Sequence, residues 1–434
     1  MAERDEGGMT ESNAPHVIIV GAGFGGLSAI KGLRKAGARV TIIDKNLYST
    51  FQPLLYQVAT GGLNAGDVSY AVGGFAAKEQ TRYVRGALAG IDAAGRQVKL
   101  SDGRAIGYDF LIIATGVSAN HFSIPGAAKF TYGLYTRTDA LLLRDHIMNG
   151  FERLSAGGDQ HDFSVVVVGG GATGVELAGT VSELRSAVLR STFPDVDPAR
   201  VHVRLVEMAP GLLMPFDEQL REYTKRQLEK RGVDVQLGSR ILSVDRDCVH
   251  LEGGKLLPSD LTVWAAGVAA PPPVGDWGLP QGHNGRIVVG PDLRVKDTDR
   301  IFAVGDIAIN PDDPSPQLAQ PALQEGRHAA AQIAALIAGR PTQPFRYHDK
   351  GTMATIGRRS AVVQLARPHL RITGTLAWLA WLVLHLFYLL GARNRIATMI
   401  NLSWRYIAWG HGGGVIVGDE PPEPLPSEVS SDRG

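Results

Sequence analysis

Two apolar runs, residues 17–20 (VIIV) and 165–168 (VVVV), each open onto a G-x-G-x-x-G turn, and residues 374–391 contain no Asp, Glu, Lys or Arg. These three observations predict an α/β protein of two Rossmann-like dinucleotide-binding domains, followed by a C-terminal helical membrane anchor. The 434 residues leave room for about two to three domains with their own cores. A net charge of +1 gives no strong attraction to nucleic acid. Cys248 is the only cysteine, which excludes an intrachain disulfide, a cysteine-clustered metal site and a redox dithiol. The N-terminal stretch MAERDEGGMTESNAPH lacks the apolar core of a signal peptide, so the chain is expected on the cytosolic side. Residues 1–14 and the Pro/Glu-rich 417–434 read as disordered tails.

Residues 16–44 form one βαβ unit: a buried parallel strand at 17–20, a helix over 27–35, a second strand at 40–43, then Asp44. Gly21 permits the tight turn, Gly23 lets the backbone approach a pyrophosphate, and Gly26 lets helix and strand pack closely. Phe24 and Gly25 complete the loop. Asp44, with Lys45 beside it, stands where a carboxylate grips a ribose hydroxyl. A purely structural glycine turn would not require the strand, helix and acid around it.

The pattern recurs with Gly169, Gly171 and Gly174, with Ala172 and Thr173 between the glycines. The next strand, 201–206, ends at Glu207, farther on than the usual spacing of about 20. A long helix and loop over 182–200 account for the difference. Glu207 would repel a 2′-phosphate and no arginine directly follows it, which points to NADH rather than NADPH.

A third signal is RIFAVGDIA, where Gly305 and Asp306 sit at a strand tip. Such an Asp can hold the ribityl–pyrophosphate region of a flavin lying across the sheet; the alternative is an ordinary strand-end turn. The flavin reading splits an FAD domain into 15–118 and 286–370, inserts an NAD domain at 119–285, and leaves 371–416 as anchor. LIIATG, ending in Ala114, Thr115 and Gly116, and VWAAGV, holding Ala266 and Gly267, fit the two crossing points where backbone runs close to a cofactor.

On these residues the chain, over about 15–350, resembles the two-dinucleotide-binding-domain flavoprotein reductases. Members that relay electrons through cysteine pairs are excluded by the lone Cys248. TFQPLLYQVATGGL (50–63) and AQPALQEG (319–326) resemble the type II NADH dehydrogenases, the second matching A-Q-x-A-x-Q-x-G from Ala319 onward. The resemblance implies a single-subunit, non-proton-pumping NADH:quinone oxidoreductase with FAD and NADH as cofactors and a membrane quinone as acceptor. It implies quinone contacts at Gln320 and Gln324 and a pocket lined by Lys350 and Gly351, with an ordinary loop as an alternative of at least equal weight for the last two. Glu176 matches a family glutamate that positions NADH or mediates protons; the competing reading is an acid favouring a helix N-terminus. Homodimers are common in the family. Gln320 and Gln324, four apart, share a helix face, and Pro321 suits the first turn. The positive end of that helix, aimed at a flavin, would stabilise its anionic reduced form; a capped helix with solvated glutamines is the alternative. The histidines show no metal-ligand spacing.

Eighteen helical residues would span about 27 Å, near the ~30 Å hydrocarbon core. Arginines flank both sides, however, and the next segment places Ile396, Met399, Ile400, Trp404 and Ile407 opposite Asn401 and Arg405. A stripe of Trp378, Trp381, His385 and Tyr388 reads as headgroup-level aromatics. The expectation is a monotopic anchor on the bilayer surface, at the cytoplasmic face of the inner membrane, over a true span or a buried dimer interface. Two other functions stay open on the residues: reduction of a soluble iron–sulfur carrier, and a flavin-bearing signalling or scaffold protein.

Overall fold

The computed structural model describes residues 14–155 and 161–407. In chain order it contains β1 (His16–Val20), α1 (Phe24–Lys35), β2 (Arg39–Asp44), α2 (Leu55–Ala59), β3 (Arg82–Arg85) and β4 (Phe110–Ile113). There follow β5 (Phe163–Val168), α3 (Ala172–Thr192), β6 (Val201–Val206), β7 (Val233–Gln236), β8 (Leu261–Trp264), β9 (Ile301–Ala303) and α4 (Ala319–Ile337). The last elements are β10 (Thr352–Gly357), β11 (Ser360–Leu365), β12 (Leu370–Thr373), α5 (Gly374–Tyr388) and α6 (Ala392–Ile407). Both expected tails, and the anchor beyond 407, lie outside the described residues except for residue 14.

The chain forms two compact units, both α/β. One holds the residues up to Ser49, Tyr70–Ser118 and Val268–Asp349; the other holds Thr50–Ser69, Ala119–Gly267 and the chain from Lys350 onward. The division drawn from sequence cuts at 118/119, 285/286 and 370/371 instead. Residues 50–69 fall in the second unit because α2 packs on α3, and because Asn394 and Asn401 of α6 donate to the Ser69 carbonyl and the Asp67 carboxylate.

In the first unit five parallel strands run in the order β9-β4-β1-β2-β3. Val17, Ile18 and Ile19 pair on one side with Val40, Thr41 and Ile42 and on the other with Phe110, Leu111 and Ile112. The inner strands are buried on both faces, which is why they are continuous apolar runs rather than alternating ones. The chain leaves β1 toward β2 on one side and reaches β4 on the other, so a topological switch point opens at the C-terminal ends of β1 and β4, where such sheets bind ligands. Helices α1 and α4 cross there at close range: a Cβ on Gly326 would lie 2.1 Å from the Gly25 carbonyl oxygen, so neither helix tolerates a side chain at the crossing.

The second unit repeats the plan with four parallel strands, β7-β6-β5-β8. It adds an antiparallel sheet, β10-β11-β12, that carries the C-terminal helices. Gly179 lets α3 lie against β10, since a Cβ there would meet the Ile356 carbonyl at 1.9 Å.

Helix α5 has 15 residues, about 22 Å long, and no described helix is long and apolar enough to cross a membrane. The aromatic stripe faces the other way from the sequence expectation. Ala377, Trp378 and Trp381 are buried against β11 and its neighbours, whereas Leu376, Leu379, Val383 and Phe387 are exposed. The 3-4-3 spacing does define one helix face, but α5 is apolar all round, so spacing alone cannot say which face turns inward. On helix α6 Ile396, Met399, Ile400 and Trp404 are exposed, Asn401 is half-buried, and Asn394, Thr398 and Leu402 are buried; the side chains of Arg405 and Ile407 lie outside the description.

Candidate functional site

The first unit builds a nucleotide cradle at the tip of β1. Gly21 sits at φ +108°, and a Cβ on it would lie 2.2 Å from the Ala114 carbonyl oxygen, so the chain leaving β4 closes on the turn. Gly26 packs against the Gly21 carbonyl, where a Cβ would stand at 1.9 Å; beside Gly23 nothing lies within 4 Å, leaving that side open to a ligand. Asp44 locks the turn, accepting from the Ala22 amide at 2.7 Å and from the Asn46 amide at 2.7 Å. Burial raises the Asp44 carboxyl above its ordinary value, opposed by these two amides and by Lys45. Each oxygen keeps a lone pair for a ribose hydroxyl.

Gly305, at φ +73°, turns the chain at the end of β9, and its amide donates to Glu325 at 2.6 Å. Arg286 is buried beneath this corner and donates to the Asp306 and Ala308 carbonyls. Sequence reasoning missed Glu325 and Arg286, which hold the Gly305–Asp306 corner; a carboxylate one turn inside the glutamine motif is the signal that was available. Among the described residues four buried polar atoms of this unit have no protein partner: Tyr108 Oη, Trp277 Nε1, Thr115 Oγ1 after β4 and Gln320 Oε1 in the first turn of α4. Buried polar groups of this kind are normally satisfied by ligand or water. A glycine turn with an open side, a carboxylate for a ribose and the unsatisfied Thr115 hydroxyl beyond a strand tip fit a flavin dinucleotide.

Gln324 departs from its expected role. Its amide is fully engaged with the backbone of His348, donating to the carbonyl at 3.0 Å and accepting from the amide at 3.0 Å. It ties α4 to the segment that follows it, and of the two glutamines Gln320 alone presents an unpartnered group.

The second unit carries a near copy of the cradle. Gly169 has φ +111°, the Gly170 amide donates to Glu207 at 2.5 Å, and the Ala209 amide donates to its other oxygen at 2.6 Å. A Cβ on Gly174 would lie 1.9 Å from the Gly169 carbonyl, and one on Gly169 would lie 2.7 Å from the Ala265 carbonyl at the end of β8. Nothing lies within 4 Å of Gly171, which with Ala172 and Thr173 opens helix α3. Gly267, at φ +88°, follows Ala266 and lies against the Phe122 ring.

Glu176 is the fifth residue of α3, inside the helix and 8 % exposed, so it does not act as an N-terminal acid. One carboxyl oxygen accepts from the Thr355 amide of β10 at 3.2 Å. Burial pushes its carboxyl up to about 8, and only the Thr355 amide and the Trp381 indole oppose the shift. Trp381 and Thr355 were not recognised from sequence as partners of this acid, because their elements are far along the chain and carry no motif. Gly351, at φ +100°, leads into β10, and a Cβ there would lie 2.3 Å from the Gln364 carbonyl; backbone geometry explains this glycine. Lys350 is exposed. Among the described residues no group of His, Cys, Asp and Glu is arranged to hold a metal ion.

Comparison with known proteins gives a consistent result. Residues 15–326 match the family described as pyridine nucleotide-disulphide oxidoreductase. The type II NADH:quinone oxidoreductase NdhA of Mycobacterium tuberculosis is 39 % identical over 415 residues, covering 91 % of this chain and 86 % of that protein. A Staphylococcus aureus type II NADH:quinone oxidoreductase is 32 % identical over 359 residues, covering 80 % of this chain and 88 % of that one. Among solved structures, NDH2 from Plasmodium falciparum in complex with NADH superposes with a TM-score of 0.84 at 20 % identity, over 92 % of this chain and 99 % of that one. The sulfide:quinone oxidoreductase of Aquifex aeolicus shares the fold at a TM-score of 0.74 and 18 % identity.

Proposed function

The chain belongs to the type II NADH:quinone oxidoreductase family, and from that premise we propose how its own residues divide the work. The reaction is oxidation of NADH and two-electron reduction of a quinone, with FAD as the resident cofactor. When bound, the flavin accepts hydride and passes electrons on; the protein supplies binding, orientation and electrostatics. The Gly21–Gly26 turn, Asp44 and Asp306 hold FAD, and the Gly169–Gly174 turn with Glu207 holds NADH. The observation that carries this assignment is the pair of carboxylate-locked glycine turns, each with an open face beside its second glycine.

Gln320 supplies an uncharged amide whose unpartnered Oε1 accepts from the hydroxyl of the quinol as it forms, and the first turn of α4 offers its unpaired amides to negative charge. Glu176, protonated at neutral pH, supplies a proton during quinone reduction. The fold reserves this proton by burying the acid, not by pairing it with a cation. The exposed rows Leu376–Leu379–Val383–Phe387 on α5 and Ile396–Met399–Ile400–Trp404 on α6 dock the second unit on a lipid surface, the monotopic arrangement that suits a lipid-dissolved acceptor.

Steady-state assays of the purified, FAD-loaded chain test the catalytic reading: NADH should support reduction of a short-chain quinone and NADPH should not. Flavin that NADH reduces but no quinone reoxidises would overturn it. Sedimentation with anionic vesicles tests the docking surface. Val383→Glu combined with Phe387→Glu should abolish binding, whereas an apolar row buried between two copies would instead give a vesicle-independent homodimer.

A further inference from the structure

Glu176 carries the proton in the reading above, and the inference here rests on that reading. Glu176 and the face of α5 that holds Trp378 and Trp381 are met by residues from separate segments of the second unit. Thr355 of β10 donates to one carboxyl oxygen. Helix α2 packs on α3 and brings Tyr56, whose ring lies 6.1 Å from that of Trp381. Helix α5 brings Trp381 itself, 1 % exposed. Helix α6 brings Tyr406, whose ring meets Trp378 edge-on at 4.8 Å.

Trp381 is held with unusual care. The His385 ring stacks on it at 4.0 Å with 24° between the planes, and the same imidazole donates from Nδ1 to the Trp381 carbonyl at 2.7 Å. Phe51 closes the far edge of His385 at 6.2 Å. Burial drives His385 down to about 4, so the clamp is neutral throughout the working range. The indole N–H of Trp381 is nevertheless buried without a hydrogen bond of ordinary geometry. A buried donor left without a bond is costly, so this ring is held firmly with its N–H unspent. The Glu176 carboxyl is the group it lies against.

We propose that Trp381 is the positioning residue of Glu176: its indole N–H closes onto the carboxylate when Glu176 gives up its proton, so that α5 holds the spent acid for reprotonation. A bond to an ionised partner is worth about twice a neutral one, which gives the N–H a preference for the carboxylate. Other ionisable groups on the surrounding elements are Glu183 on α3, paired with Arg231 and the Arg358 amide, His385 on α5, and the phenols Tyr56 and Tyr406. None of them interacts charge-to-charge with Glu176. The indole and the Thr355 amide are therefore what distinguishes its two protonation states beyond burial.

The experiment is the pH profile of kcat for reduction of a short-chain quinone by the full-length FAD-loaded enzyme. The wild-type chain should lose activity as pH rises through about 8, as Glu176 loses its proton. Trp381→Phe keeps a ring and removes the donor, so the carboxylate is less favoured and that limb should move up by about one pH unit. Glu176→Gln should abolish the limb. A limb that stays in place in Trp381→Phe, with kcat merely lowered, would overturn the positioning role and leave Trp381 a packing residue. A wild-type profile without the limb, matched by Glu176→Gln, would instead overturn the reading of Glu176 itself. Should Trp381→Phe not fold, indole N–H resonances of the wild-type chain give the same decision. One of them should titrate with the midpoint of the limb and cease to do so in Glu176→Gln; if none titrates, the proposal fails.

Discussion

The two glycine turns of this chain are close to superposable in their chemistry, yet the helices they open have diverged. In each, the first glycine takes a positive φ and its amide donates to the strand that carries the ribose acid, Gly21 to Ile43 and Gly169 to Val206, both at 2.8 Å. In each, the next amide is claimed by that acid, Asp44 or Glu207. Seven positions after the first glycine the two part company. Ser28 folds back and donates to the Gly25 carbonyl of its own turn at 2.8 Å, while Glu176 reaches across to β10 and α5. Gly326 brings α4 down on the first helix, and Gly179 brings β10 down on the second. A nucleotide cradle is thus a generic part; the chemistry of each copy is set by one helix position and by what a glycine farther along lets in.

The largest effects should come from breaking either cradle. Gly26→Ala and Gly174→Ala each drive a Cβ into a carbonyl at 1.9 Å, a clash of the class that costs more than about 3 kcal/mol. The first should yield protein lacking flavin, the second a flavoprotein that NADH no longer reduces. Absorbance spectra and anaerobic NADH titration distinguish the two. Glu176→Gln comes next, as a test of stability. The folded acid titrates near 8 against an ordinary 4.5, so the native state holds a proton that the unfolded chain releases between those values. Wild-type stability should fall across that window as pH rises. Thermal unfolding of Glu176→Gln should match the wild type below the window, pull ahead through it, and keep a constant lead above it. Gln320→Leu should slow flavin reoxidation by quinone about tenfold, the worth of one hydrogen bond. Gln324→Leu should leave reoxidation rates alone and cost about 1 kcal/mol of stability through its lost pairing with His348. The smallest effect is expected for Glu207→Gln, which keeps the amide contacts in part and should narrow the preference for NADH over NADPH several-fold in kcat/KM.

Legibility from sequence follows the locality of the physics. The cradles could be read because a tight turn, a close helix–strand contact and a terminal acid lie within one βαβ unit, and only glycine and a carboxylate satisfy them. The delayed position of Glu207 was readable too, since α3 does run on to Thr192. The pairing of Gln324 with His348 could not be read because His348 lies in an irregular stretch whose backbone has no pattern to announce that it needs a side chain. The stripe on α5 was placed on the wrong side because both faces of that helix are apolar, and only the sheet beneath it decides which one is buried. The setting of Glu176 was invisible for the same reason at longer range: Thr355 and Trp381 are 179 and 205 positions away.

On the proposed function, Glu176 makes the second cradle part of a quinone reductase rather than a nucleotide site alone. Double-mixing stopped-flow on Glu176→Gln separates the two halves of turnover: anaerobic reduction of the flavin by NADH, then reoxidation by a short-chain quinone. Reduction within about twofold of wild type, with reoxidation slowed about a hundredfold as expected for a lost proton donor, is the predicted result. Reoxidation at the wild-type rate would contradict it.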